Sequence, residues 1–245
     1  MTFPQHRIRL DSRQRRRLLQ GAVGLMLTVG CTPSGLVERQ IEGQLPNYLG
    51  PAERYDVDIQ GLRVRANAAD RLIMVGERMR PEGSPIIDRL TVELEGIQYD
   101  REAGQLTQVL AAGATARVAA ADLAAFVAQD DNIRTAAIAL TPPNQLTLNI
   151  TPEVGRFPIP DGIALTVTGE LLGSGSQVQI NVTEVRAAGF NVSGVAAQQL
   201  NRSLNPLVDL SDLPVALTVA SVTVDGESLR LAVVGDPASF SRAPL

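Results

Sequence analysis

The sequence predicts an α+β protein in which a long, strongly curved antiparallel sheet wraps around a few helices. Three observations predict it. Apolar residues alternate with polar ones at period two in several stretches, three of the strands change phase partway, and three short segments carry apolar residues at helical spacing. Strands with one apolar and one hydrated face belong to an antiparallel sheet covered on a single side. A one-residue slip turns every later side chain over unless a bulge absorbs it, and bulges bend a sheet.

The elements follow in chain order. Leu36, Val37, Ile41, Leu45, Tyr48 and Leu49 form a helical stripe that Gly50-Pro51 ends. Val57 and Ile59 start a strand whose pattern shifts at Gly61 to Leu62 and Val64. Residues 67–85 contain Leu72-Ile73-Met74-Val75 and read as an inserted loop. Leu90, Val92 and Leu94 then shift at Gly96 to Ile97 and Tyr99, and Asp122 is expected to cap a helix carrying Leu123, Phe126 and Val127. Three strands follow: Leu146, Leu148 and Ile150 after the turn Pro142-Pro143-Asn144; Leu165 and Val167; and Val178, Ile180 and Val182 after Gly173-Ser174-Gly175. Ser193-Gly194 is expected to start a helix with Ala197, Leu200, Leu204 and Leu207 on one face. Leu217 and Val219 shift across Ala220-Ser221 to Val222 and Val224, and the turn Asp225-Gly226 leads to Leu229, Leu231 and Val233.

The N-terminal residues carry a different signal. Arg7, Arg9, Arg13 and Arg15-Arg16-Arg17 precede a 12-residue apolar run, residues 18–29, and then Gly30-Cys31. This order reads as an export signal of the lipoprotein kind, with Cys31 as the lipidated residue. As a helix the run spans about 18 Å, short of the roughly 30 Å core of a bilayer. Residues 14–20 fit a twin-arginine signal and an ordinary secretory leader equally well. Residues 1–31 are therefore expected to be the leader, and residues 32–245 a single domain in the cell envelope or periplasm, held to a membrane by its N-terminal lipid.

Composition excludes much chemistry. His6, the only histidine, lies in the leader; the chain has no Trp, no Lys and one Cys. Past the leader no Ser-His-Asp or Cys-His arrangement is possible, nor a zinc site with the usual ligands. Six Arg and one Asp precede Cys31, which leaves 16 Arg against 25 acidic residues and a formal charge of −9. So acidic a body is a poor partner for nucleic acid and is repelled by anionic lipid, so the acyl anchor must hold it at a membrane. No cofactor and no metal is expected. Gly173-Ser174-Gly175-Ser176 lacks the ending of a phosphate loop, and Asp56, Asp58, Asp209 and Asp212 lack the spacing of a calcium loop.

Several runs resemble a known family. They are Gly169-Glu170-Leu171-Leu172-Gly173, Val185-Arg186-Ala187-Ala188-Gly189-Phe190, and Leu204-Asn205-Pro206-Leu207-Val208-Asp209-Leu210-Ser211-Asp212-Leu213-Pro214. With Asp88-Arg89-Leu90-Thr91-Val92-Glu93-Leu94-Glu95-Gly96-Ile97 and the helix start Ala121-Asp122-Leu123, they resemble the LmeA-like phospholipid-binding family over roughly residues 36–235. That family is similar to the wider group of tubular lipid-binding domains. The resemblance implies an exported, non-catalytic protein that holds phospholipid acyl chains in an apolar groove between curved sheet and helix.

On that reading the groove is lined by Leu90, Val92, Leu94, Leu146, Leu148, Ile150, Leu165, Val167, Val178, Ile180 and Val182. The partner is a phospholipid or another acyl lipid. One alternative is a structural envelope lipoprotein that has a closed core and docks a protein. Another is a carboxylate hydrolase built on Glu93 and Glu95.

Overall fold

The computed structural model describes residues 34–81, 84–100, 105–129, 133–152, 163–191, 205–209, 211 and 216–240. Helix α1 (Ser34–Leu49) comes first, and Val37, Ile41 and Leu45 of its stripe are buried. Gly50 ends it as expected, at φ +90° with its N–H donating to Pro46 O. Strands β1 (Arg54–Gln60), β2 (Ala68–Met79), β3 (Ile87–Asp100), β4 (Gln105–Gln108) and β5 (Ala111–Ala119) follow, and then helix α2 (Ala120–Val127). Next are β6 (Ile133–Thr141), β7 (Gln145–Pro152), β8 (Leu165–Ser174), β9 (Gln177–Ala187) and β10 (Phe190–Asn191). The chain closes with β11 (Val208–Asp209), β12 (Leu217–Asp225), β13 (Ser228–Gly235) and the short α3 (Pro237–Phe240).

The strands form two open antiparallel sheets where the sequence predicts one. The first runs β1-β2-β3-β5-β13-β12, with β4 on β3; the second runs β10-β9-β8-β7-β6, with β11 on β9. They meet at an edge. Val219 N–H donates to Gly175 O and Val224 N–H to Pro143 O, so β12 crosses the turn ends of the second sheet. One end of the apolar face of the first sheet is covered by α1, as expected; the other is covered by the second sheet rather than by a helix. Alternation shows that a strand face is covered and is silent on whether helix or sheet covers it.

The phase changes have three outcomes. At Ala220 the register of β12 on β13 slips by one, and Val219, Val222 and Val224 are all buried. At Gly96 the backbone turns to φ +61°, so Leu94 and Ile97 are both buried although three apart. A side chain there would strike Leu110, whose N–H donates to Glu95 O. Gly61 differs: at φ +66° it ends β1, and the chain leaves for a 3-10 turn at Val64–Ala66. Residues 67–85 are mostly β2, a strand paired on both sides rather than an inserted loop. A further register shift in β9, beside Thr183, has the same sign in the sequence, Val178, Ile180 and Val182 giving way to Val185, and was not expected.

Helix α1 also closes the open edge of β1. Val57 N–H donates to Glu42 Oε1 at 3.0 Å and Ile59 N–H to Glu38 Oε1 at 3.1 Å. Four residues of helix advance about 6 Å and two of strand nearly 7 Å, so i,i+4 carboxylates match alternate edge amides. Removing both in Glu38→Ala/Glu42→Ala should cost about 1 kcal/mol for each bond and free an edge for self-pairing. Thermal melts and concentration-dependent gel filtration read the two effects.

Just past α1, Tyr55 O–H donates to Gly50 O at 2.7 Å. Burial pushes this phenol up to about 12 from 10.0. The unfolded chain ionises first, so the contribution of Tyr55 to stability is intact below pH 10 and lost as pH rises from 10 to about 12. Melts of Tyr55→Phe against the parent across that range should show a shallower alkaline decline.

Candidate functional site

Three cross-strand rows define the apolar face of the first sheet. Leu72, Leu94, Ala112 and Gly235 pair in one, Met74, Val92, Ala114, Val233 and Val219 in the next, and Gly76, Leu90, Ala116, Leu231 and Val222 in the third. At the β1–β2 side, Leu72 and Leu94 are sealed under Val37, Ile41 and Leu45 of α1. At the β12 side, Val219, Val222 and Val233 are sealed against β7, β8 and β9. Between these two buried clusters Met74, Leu90, Val92, Ala114, Ala116 and Leu231 are half-buried. The band lies where β5 places the small side chains of Ala114 and Ala116 opposite Val92 and Leu90, next to the buried Ala112.

The expected lining residues divide between band and core. Leu90 and Val92 lie in the band. Leu94 is buried in the cluster under α1; Leu146, Leu148, Ile150, Leu165, Val167, Val178 and Ile180 are buried between the sheets, with Val182 half-buried against them. Met74, Ala114, Ala116 and Leu231 lie in the band as well and were not among the expected lining residues. The alternating small residues of Ala112-Gly113-Ala114-Thr115-Ala116 were the available signal. Cys31, the expected leader and most of the helix expected from Ser193 lie outside the described residues.

Charges close the end of the band beside Met79. Arg78 sits at φ +50°, and its Nη1 donates to Asp122 Oδ2 at 2.7 Å, with Asp88 Oδ1 at 3.9 Å. The hydrogen bond and charge of Asp122 raise the Arg78 pKa further above its ordinary value. Asp122 was expected to cap α2. Instead Ala119 holds the cap position without a side-chain bond, and Asp122, in the first turn, binds Arg78. This ion pair draws the start of α2 toward β2.

The opposite face of the first sheet has a furrow of about 320 Å³, lined by Thr91, Glu93, Glu95, residues 111–115, Ala232 and Val233. Both carboxylates lie beside Arg71, whose Nη2 donates to Glu93 Oε2, with Glu95 Oε1 at 3.8 Å from its Nε. The arrangement is that of an ion-pair cluster. Among the described residues no three His, Cys, Asp or Glu side chains converge to hold a metal, and no helix is long and apolar enough to cross a membrane.

A family model described as LmeA-like phospholipid-binding matches residues 34–234, most of the chain. No curated protein and no solved structure matches it.

Proposed function

Because the chain belongs to the LmeA-like phospholipid-binding family, we propose that it holds phospholipid acyl chains along the half-buried band of the first sheet, without catalysis. The observation that carries this reading is the half-burial of Leu90 and Ala116, which belong to neither buried cluster, beside Met74 and Val92 at the rim of one cluster and Ala114 and Leu231 at the rim of the other. An acyl chain of roughly 16 carbons gains on the order of 12 kcal/mol on leaving water. A bilayer offers about the same, so transfer from membrane to protein is near neutral. That balance suits a carrier or presenter of lipid. Export by the leader and acylation of Cys31 would keep the protein at a membrane of the cell envelope, within reach of its cargo.

The test is native mass spectrometry of the exported protein, followed by extraction in organic solvent. Bound phospholipid is expected, together with the added mass of an acylated Cys31. A protein free of lipid in both measurements would overturn the reading and leave the structural lipoprotein with a closed core.

A further inference from the structure

The outer face of the first sheet carries a charge pattern that folding alone does not favour. Arg89 on β3 pairs directly with Arg117 on β5, and Arg117 directly with Arg230 on β13. Three guanidinium groups thus project side by side from adjacent strands, about 5 Å apart at their bases. Like charges placed opposite one another in a sheet repel. Two of the three have a carboxylate near: Glu77 Oε1 is 3.5 Å from Arg89 Nη1, and Asp88 Oδ2 is 3.9 Å from Arg117 Nε. Asp88 is shared with Arg78. Arg230 is exposed and has no ion pair among the described residues. This row stands in a body whose formal charge past the leader is −9.

The row borders the furrow. The next cross-strand row on the same face is Thr91, Thr115 and Ala232, and all three line it. Two threonine hydroxyls and a floor of small residues therefore adjoin three arginines, while Glu93 and Glu95, both beside Arg71, line the furrow farther from the arginine row. This donor set is the one that binds a phosphate group: Arg forks for the oxygens, hydroxyls for a further lone pair, and space for what the phosphate bears.

We propose that Arg89, Arg117 and Arg230, with Thr91 and Thr115, form a phosphate-binding site at the mouth of the furrow. Its ligand is the phosphate of a phospholipid headgroup or a soluble phosphate compound. The site lies on the face opposite the acyl band and does not depend on that band being filled.

The experiment compares the exported protein with Arg230→Gln, a substitution that removes the one guanidinium of the three that has no ion pair among the described residues. Without ligand the variant should melt at or slightly above the parent temperature, because a like-charge neighbour is gone; a structural role would lower it. Inorganic phosphate at about tenfold its Kd should raise the parent melting temperature by about 3–5 °C, against a sodium chloride control of equal ionic strength. The variant should lose most of that shift. Vesicles of phosphatidylglycerol and of phosphatidylcholine, offered to Cys31→Ala forms of parent and variant so that no acyl anchor binds them, separate the two sources. A loss of about fivefold in sedimentation of Arg230→Gln with the anionic vesicles assigns the headgroup, and a phosphate shift with unchanged sedimentation assigns a soluble ligand. Absence of any phosphate-specific shift in the parent, or an equal shift in the variant, overturns the site. The lipid cargo is read separately by mass spectrometry, so either proposal fails without the other.

Discussion

Ile41→Ala is expected to cost about 2–5 kcal/mol and to lower the melting temperature by roughly 5–15 °C. Ile41 is 1% exposed and lies centrally on the buried face of α1, between Val37 and Leu45. Its side chain fills the cluster that includes Val57, Ile59, Leu72 and Leu94. Truncation removes the transfer energy of the lost methylenes and leaves a cavity that a rigid sheet cannot collapse into. Against a total stability of about 5–15 kcal/mol, the change is large. A second readout follows from Glu38 and Glu42, which accept the N–H groups of Ile59 and Val57. As α1 loosens, those two amides should exchange with deuterium faster than the amides of β8, which belong to the other cluster. An unchanged melting temperature with unchanged exchange would mean that α1 does not hold the first sheet.

Ala116→Phe is expected to abolish lipid retention while the fold survives. Ala116 is half-buried and pairs with Leu90 on one side and Leu231 on the other, both half-buried as well. A benzyl group at this position fills the band that an acyl chain would occupy. Overpacking a closed core costs about 1–3 kcal/mol, whereas filling open apolar space costs little. The two measurements are thus coupled. Loss of co-purifying phospholipid with the melting temperature held supports the band as the lipid site; a fall in melting temperature with lipid still bound would place the cargo elsewhere. Val167→Phe provides the contrast, since Val167 is fully buried between the sheets and has no space to give.

Particular residues show how far the sequence could be read. The stripe from Val37 to Leu49 predicted α1 and its end at Gly50, because helical spacing and a glycine stop are local properties. Val219, Val222 and Val224 predicted the bulge at Ala220 for the same reason. Gly61 and Gly96 looked alike in the sequence, yet one ends a strand and the other bends one. What separates them is the neighbour: Gly96 lies inside β3, which has partners on both sides, and faces Leu110, while Gly61 follows an edge strand held by one partner and a helix. Leu72-Ile73-Met74-Val75 was read as part of a loop because its apolar run does not alternate. In the structure Leu72 is buried, while Ile73, on the other face, is half-buried.

The candidate site was legible in kind and only partly in place. Alternating Leu, Val and Ile mark a covered face, but a residue in a closed core and one in an open band carry the same pattern. Leu94 and Leu90 are four residues apart on one strand, yet one is sealed under α1 and the other is half-buried.

By itself the sequence determined helices α1 and α2, strands β1, β3, β7, β8, β9, β12 and β13, most of the turns, an acidic chain with one histidine and no lysine, and the likeness to a lipid-binding family. These depend on spacing and composition, which are carried within a few residues of chain. Only the tertiary structure decided that there are two sheets rather than one, that the second sheet covers half of the apolar face, and that three arginines stand abreast. Those outcomes depend on strand register and on which surfaces meet, and contacts between residues far apart in the chain set both.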